Sequence, residues 1–171
     1  ACGTDSLVAT CATGGISYWT SVTDDEKFKL EDVYFKDCAA GQKHFLALSS
    51  NGELYTWGAG KAAGRGKRQH GLSPDIVPID NLLFSRVYAY NQTSYVVATT
   101  GEIYSSGQNR YGQCGLGDDV RKTNVFMKVV RFTDDEISHI TIGDTSAYFL
   151  TNTGKLYSTG DGDESRLLMN D

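Results

Sequence analysis

Proline is nearly missing, with two residues in 171. Long apolar runs are missing altogether: none approaches the roughly 20 residues that a membrane-crossing helix needs, so no membrane insertion is expected. Histidine occurs three times, each in a different context, and no G-x-S-x-G, H-E-x-x-H or related arrangement joins a nucleophile, a base or a metal. The chain is therefore not expected to be an enzyme, and no cofactor is implied. The four cysteines, Cys2, Cys11, Cys38 and Cys114, form no C-x-x-C pair and no zinc spacing. With no signal peptide in view they read as reduced, mostly buried thiols of a cytoplasmic or nuclear protein. Positive charge is also short. Sixteen Lys and Arg stand against 21 Asp and Glu, a net charge of −5 that opposes general nucleic-acid binding, which needs clustered cations.

What the chain has is glycine, 19 residues of it, and a phrase that returns. Gly52-Glu-Leu-Tyr-Thr-Trp-Gly58 recurs as Gly101-Glu-Ile-Tyr-Ser-Ser-Gly107 and as Gly154-Lys-Leu-Tyr-Ser-Thr-Gly160, with a worn copy in Gly14-Gly-Ile-Ser-Tyr-Trp-Thr20. Each copy is a turn glycine followed by strand-forming residues, closed in three cases by a second glycine, which reads as a short strand between tight turns. Successive copies begin 38, 49 and 53 residues apart, a period expected of propeller blades or helical-pair solenoids.

Strand chemistry separates those two. Eleven residues before each turn glycine stands a landmark, Gly3, Gly41, Tyr90 and Gly143, followed by His44-Phe-Leu-Ala-Leu48, Ser94-Tyr-Val-Val-Ala98 or Ala147-Tyr-Phe-Leu150. These runs are too short and too rich in aromatic and β-branched residues for solenoid helices, and they fit inner strands of small antiparallel sheets. The fold class is all-β: about three to four blades of antiparallel strands. Approximate units are 1–32 (partial), 33–86, 87–139 and 140–171 (partial), and the chain is expected to be part of a longer polypeptide.

Several local patterns suggest chemistry. His44 stands three residues after its landmark, where Ser6, Thr93 and Ser146 stand in the other units, and a hydrogen-bonding side chain at one place in every unit reads as a buried turn lock. Thr23-Asp-Asp-Glu26 has capping-box spacing and is expected to start a helical turn or a compact loop; the same letters recur as Thr133-Asp-Asp-Glu136. Lys61, Arg65, Lys67 and Arg68 form the one basic cluster, in a glycine-rich loop that fails the phosphate-loop pattern because no Ser or Thr follows its lysines. The cluster, with Arg110, is the candidate partner-binding loop. Asp161-Gly-Asp163-Glu164 fails as a calcium loop, because Arg166 stands where that loop needs glycine. Asn91-Gln-Thr93 would be a glycosylation sequon only in a secreted protein.

The segments Ala40-Gly41-Gln-Lys-His44 with Gly52 to Gly58, and the connector Asn109-x-x-Gly112-Gln113-x-Gly115-x-Gly117-Asp118, resemble the repeat of the regulator of chromosome condensation, RCC1. The resemblance covers nearly the whole chain and implies a β-propeller, commonly of seven four-stranded blades, of which about half is present here. It departs in the basic connector, which has lost the Gln and leucine of the pattern, and at Tyr90, which replaces a glycine. It implies a protein-interaction scaffold, whose missing blades come from the parent chain or a neighbour and whose partner is another protein. Two alternatives are guanine-nucleotide exchange on a Ran-like small GTPase, and chromatin or nucleic-acid association through Lys61, Arg65, Lys67, Arg68 and Arg110.

Overall fold

The computed structural model of the chain describes residues 6–10, 14–20, 23–28, 33–67, 70–77, 79, 81–130 and 133–161. Apart from one short 3-10 helix, Lys61–Ala63, the regular elements are strands in four antiparallel sheets. Sheet 1 holds β1 (Ser6–Thr10), β2 (Ile16–Thr20) and β3 (Thr23–Phe28). Sheet 2 holds β4 (Phe35–Ala40), β5 (His44–Ser49), β6 (Leu54–Ala59) and β7 (His70–Ile76). Sheet 3 holds β8 (Phe84–Tyr90), β9 (Thr93–Ala98), β10 (Ile103–Gln108) and β11 (Lys122–Lys128). Sheet 4 holds β12 (Ile137–Ile142), β13 (Ser146–Thr151) and β14 (Leu156–Gly160). In every sheet consecutive strands are neighbours. β4 lies against β1 on one side and β8 on the other, and β8 against β12, so the sheets fan out from a common inner edge. This is the arrangement of propeller blades. Among the described residues no helix is long and apolar enough to cross a membrane.

The core lies between the sheets. Val8, Ile16 and Tyr18 of sheet 1 meet Phe45, Ala47 and Trp57 of sheet 2; Leu46, Leu48 and Leu54 on the opposite face of sheet 2 meet Phe84, Val96 and Tyr104 of sheet 3; and Tyr95, Val97 and Ile103 of sheet 3 meet Ile140, Phe149 and Tyr157 of sheet 4. Successive side chains of a strand point to opposite faces, so a blade sandwiched between two others must be apolar at consecutive positions. That is why His44–Ser49 and Thr93–Ala98 are buried at every residue, whereas β13 alternates buried with exposed. Aromatic pairs complete the first seam, with Phe45 stacked on Trp57 at 5.1 Å between centroids and Tyr18 edge-on to the same indole at 5.7 Å.

One face is left open. Tyr148, Leu150 and Leu156 of sheet 4 hold the repeat positions of Leu46, Leu48 and Leu54, which are at most 1% exposed, yet they are 43%, 41% and 41% exposed. Nothing among the described residues packs there.

One expectation is corrected. Thr23–Glu26 is neither a helical turn nor a loop: it is the start of β3, with Glu26 opposite Tyr18 of β2. Backbone pairing along the edge of β2 outweighs the local capping pattern. Thr133–Glu136, with the same letters, remains a turn, held by the Asp135 N–H donating to Thr133 Oγ1 at 3.0 Å. The joins between sheets fall at 77–83 and 129–136, and unit edges drawn at 86/87 and 139/140 pass through β8 and β12. Gly3, Cys2, Cys11, Ser6's side chain, Arg68 and the segment 162–171 lie outside the described residues.

Candidate interaction surface

The landmark turns, the closing glycines and the connectors all emerge at one end of the sheets, and the same device builds each copy. Gly58, Gly107 and Gly160 lie opposite His44, Thr93 and Ser146. The residue after each glycine donates its N–H to the turn carbonyl across from it: Ala59 to Lys43 O (2.6 Å), Gln108 to Gln92 O (2.9 Å) and Asp161 to Thr145 O (2.9 Å). The turn comes so close that a Cβ on Gly107, whose φ is 121°, would stand 2.0 Å from Gln92 O. Only glycine permits that approach.

His44 is fully buried, and its Nε2 shares a 2.7 Å hydrogen bond with Ser94 Oγ of sheet 3. The expected lock thus spans two blades rather than one turn. Its ring fills the space that a Cβ on Gly41 would occupy, 2.0 Å from Cε1, which ties the landmark glycine to the histidine. Burial drives the His44 pKa down to about 4, so the ring is neutral. At the equivalent place Thr93 Oγ1 reaches Gln108 O at 3.5 Å.

The connector Asn109–Asp118 is folded around one buried amide. Asn109 Oδ1 accepts the Cys114 N–H at 2.8 Å, and its Nδ2 donates to the carbonyls of Gly117 and Val120. Gln113, also buried, accepts the Tyr111 N–H at 2.9 Å and donates to Asp144 O of the next blade at 3.3 Å. Thr159 Oγ1 of that blade donates to Gly112 O at 2.9 Å. From below, Tyr95 OH donates to Gln113 O, and Ser105 Oγ to Cys114 O at 2.7 Å. The connector is thus a strap joining sheets 3 and 4. Cys114 within it is fully buried and its thiol is pushed up to about 12 by desolvation, leaving it protonated.

The basic connector takes another route. Ala62 and Ala63 are buried against sheet 3, where Ser106 Oγ donates to Lys61 O at 2.9 Å and Gly66 exchanges hydrogen bonds with Asn124. Arg65 proves not to be a surface cation. Its side chain is 8% exposed, Nη2 donates to Asp75 at 3.2 Å, and Gly71 makes room for the guanidinium. Lys67 and Arg110 are exposed, Arg110 lying over the Tyr111 ring, and Lys61 is half-buried. The basic group is thereby split, but Lys122 at the start of β11 joins it: the neighbouring Lys122, and then desolvation, hold the Lys61 ammonium below the usual lysine range. Lys122 stands a whole unit away in sequence, and no local pattern announces it. In the sequon Asn91 adopts a φ of 44° and donates to Asp144 Oδ1 at 2.8 Å, while Thr93 is buried in β9.

Four blades fanned from an inner edge, with described connectors that bind sheet 2 to sheet 3 and sheet 3 to sheet 4, define a partial β-propeller. Its repeats are of one type: residues 35–61 and 100–150 each match the regulator of chromosome condensation (RCC1) repeat, and the chain is a partial RCC1-like domain. Similar proteins include the human E3 ubiquitin-protein ligase HERC2, 32% identical over 81% of this chain and 3% of its own length, and the Arabidopsis thaliana ultraviolet-B receptor UVR8, 28% identical over 94% and 40%. The mouse X-linked retinitis pigmentosa GTPase regulator is 30% identical over 78% of this chain and 14% of its own. Among solved structures, human WBSCR16 superposes with a TM-score of 0.86 over 99% of this chain and 50% of its own, at 18% identity. Saccharomyces cerevisiae Prp20p, studied for its binding to Gsp1p and histones, superposes at 0.80 over 93% and 42%, at 20% identity. The chain thus spans half or less of each of these proteins.

Proposed function

We propose that this chain is a protein-interaction scaffold, a set of blades whose connector rim offers a rigid face to a protein partner. The observation that carries this reading is the fixing of the rim backbone by the same turn-to-glycine hydrogen bond in three blades, together with buried straps between them. Loops held on a rigid frame are where binding usually resides, and a preordered surface loses little entropy on association. Further blades, from the parent chain or a neighbour, cover Tyr148, Leu150 and Leu156, and the site of action is the cytoplasm or nucleus. Cross-linking of the full-length polypeptide to its partners in cells, followed by mass spectrometry, tests the reading. Cross-links should gather on the turns 42–43, 91–92 and 144–145 and on the connectors; cross-links confined to other domains would overturn it.

Exchange of guanine nucleotide on a Ran-like small GTPase is the second reading, favoured by the relative named as a GTPase regulator. In that mechanism the propeller would bind the empty GTPase more tightly than the loaded one and so weaken its hold on nucleotide. A nucleotide-release assay over a panel of GTPases decides it, and no acceleration at micromolar protein removes it. Chromatin or nucleic-acid association is disfavoured by the burial of Arg65 against Asp75.

A further inference from the structure

The connector rim carries a row of amides beside cations that have no counter-ion among the described residues. Gln92 lies at its centre: its Nε2 donates to Gln42 Oε1 of sheet 2 at 3.4 Å, and its Oε1 accepts from Gln108 Nε2 at 3.2 Å, all three at the surface. The row is anchored underneath, because the Gln42 N–H donates to Asn91 O at 2.7 Å and the Gln108 N–H to Gln92 O. Lys122 is cross-strand from Gln108, Lys61 opens the 3-10 helix that packs against β10 and β11, and Lys43 lies in the neighbouring turn, its carbonyl receiving the Ala59 N–H. Arg121 is exposed next to Lys122, and its carbonyl accepts the Asn109 N–H. Within the described residues no carboxylate lies at ion-pair distance from any of these four cations. At the opposite, hairpin end, by contrast, Lys128 pairs with Glu102 and Lys155 with Asp135.

From this juxtaposition we propose that the row Gln42–Gln92–Gln108, flanked by Lys43, Lys61, Arg121 and Lys122, binds an extended acidic segment of a partner protein. A carboxamide carries both a donor and an acceptor, which lets it read a peptide backbone in either direction. Cations gathered on one rim repel one another, and a carboxylate set between two of them relieves that repulsion and accepts from both. A polypeptide fits this row better than a nucleic acid, because the exposed Asp118 and Asp119 of the adjacent connector would repel a continuous line of phosphates while tolerating spaced carboxylates. The proposal rests on the scaffold reading and names the partner chemistry of the same rim.

The test uses the full-length polypeptide carrying these blades and a short fluorescent peptide alternating glutamate and serine. Controls are the same peptide with lysine for glutamate and a length-matched single-stranded DNA, followed by anisotropy at low and physiological salt. The acidic peptide should bind and the basic one should not. The double variant Lys61→Glu with Lys122→Glu should lose about tenfold or more in affinity, and Gln92→Ala about threefold. Lys36→Glu, an exposed cation at the other end of β4, should leave binding unchanged. Absence of acidic-peptide binding, equal losses from Lys36→Glu and Lys122→Glu, or tighter binding of the DNA through the same lysines would each overturn the proposal. If the peptide fails while cellular cross-links still fall on this rim, the acidic-segment chemistry is wrong and the scaffold stands. If both fail, the scaffold falls as well.

Discussion

His44 shows how one side chain sets the conditions under which two blades stay together. In the unfolded chain its imidazole titrates near 6.5, whereas in the fold burial lowers the value to about 4. As pH falls below about 6.5 the unfolded state takes up a proton that the folded state refuses, so stability is full above 6.5, declines between 6.5 and 4, and loses roughly 3 kcal/mol over that window. Denaturant midpoints measured at pH 7.5 and 4.5 should therefore differ, and His44→Gln, which cannot protonate, should remove most of the difference while lowering stability at pH 7.5. The closing glycine gives a second residue-scale outcome. Gly107→Ala forces a methyl to 2.0 Å from Gln92 O as well as straining φ, whereas Gly101→Ala, at φ 89°, meets nothing within 4 Å. The first should cost about 3 kcal/mol or more and the second about 1 kcal/mol in chemical denaturation.

At the scale of elements, the connector makes Asn109 its keystone. Asn109→Asp keeps the acceptor for the Cys114 N–H but turns the donor toward Gly117 and Val120 into an oxygen facing two carbonyls. It should cost about 2 kcal/mol and speed amide exchange in 110–120. Gln113→Ala should instead loosen the link to Asp144 and speed exchange at the 144–145 turn. Both effects are readable by hydrogen-exchange mass spectrometry. The connector's spacing was legible in the sequence because backbone geometry dictates it: Gly112, Gly115 and Gly117 all have positive φ. Strands β5 and β9 were legible for the same kind of reason, since a blade buried on both faces must be apolar at consecutive positions, and β13 carries the same apolar run although one of its faces is open. Thr23–Glu26 was not, because whether a capping pattern becomes a helix or an edge strand depends on what lies beside it. Nor was the packing of the Lys61–Ala63 helix against β11, which brings Lys61 near Lys122, or the fate of Arg65. Each depends on which strands are neighbours, and lysines on separate blades carry no periodic signature.

The whole molecule is governed by the mismatch between its inner seams and its last face. Three seams between four sheets are closed by Phe, Tyr, Trp and Leu side chains, and each central sheet contributes to two of them. Sheet 4 contributes to one. Its β13 and β14 present Tyr148, Leu150 and Leu156 as Leu46, Leu48 and Leu54 are presented by sheet 2, which are covered by Phe84, Val96 and Tyr104 of the following blade. A face with that chemistry fits another sheet of the same repeat, with an aromatic at the position of Phe84 and a β-branched residue at that of Val96. Among the described strands β14 also lies at the outer edge of its sheet, where sheets 2 and 3 carry a fourth strand. Exposing the three side chains in place of burying them forgoes about 1–3 kcal/mol each, enough to drive association of the 171 residues alone. Analytical ultracentrifugation of this chain by itself should show concentration-dependent self-association. Tyr148→Ser with Leu150→Ser and Leu156→Ser should return it to a monomer, and the same three changes in the full-length polypeptide should lower its stability, because there the face is part of a seam. A wild-type chain that stays monomeric, together with a full-length protein indifferent to the substitutions, would mean that no further blade packs on sheet 4.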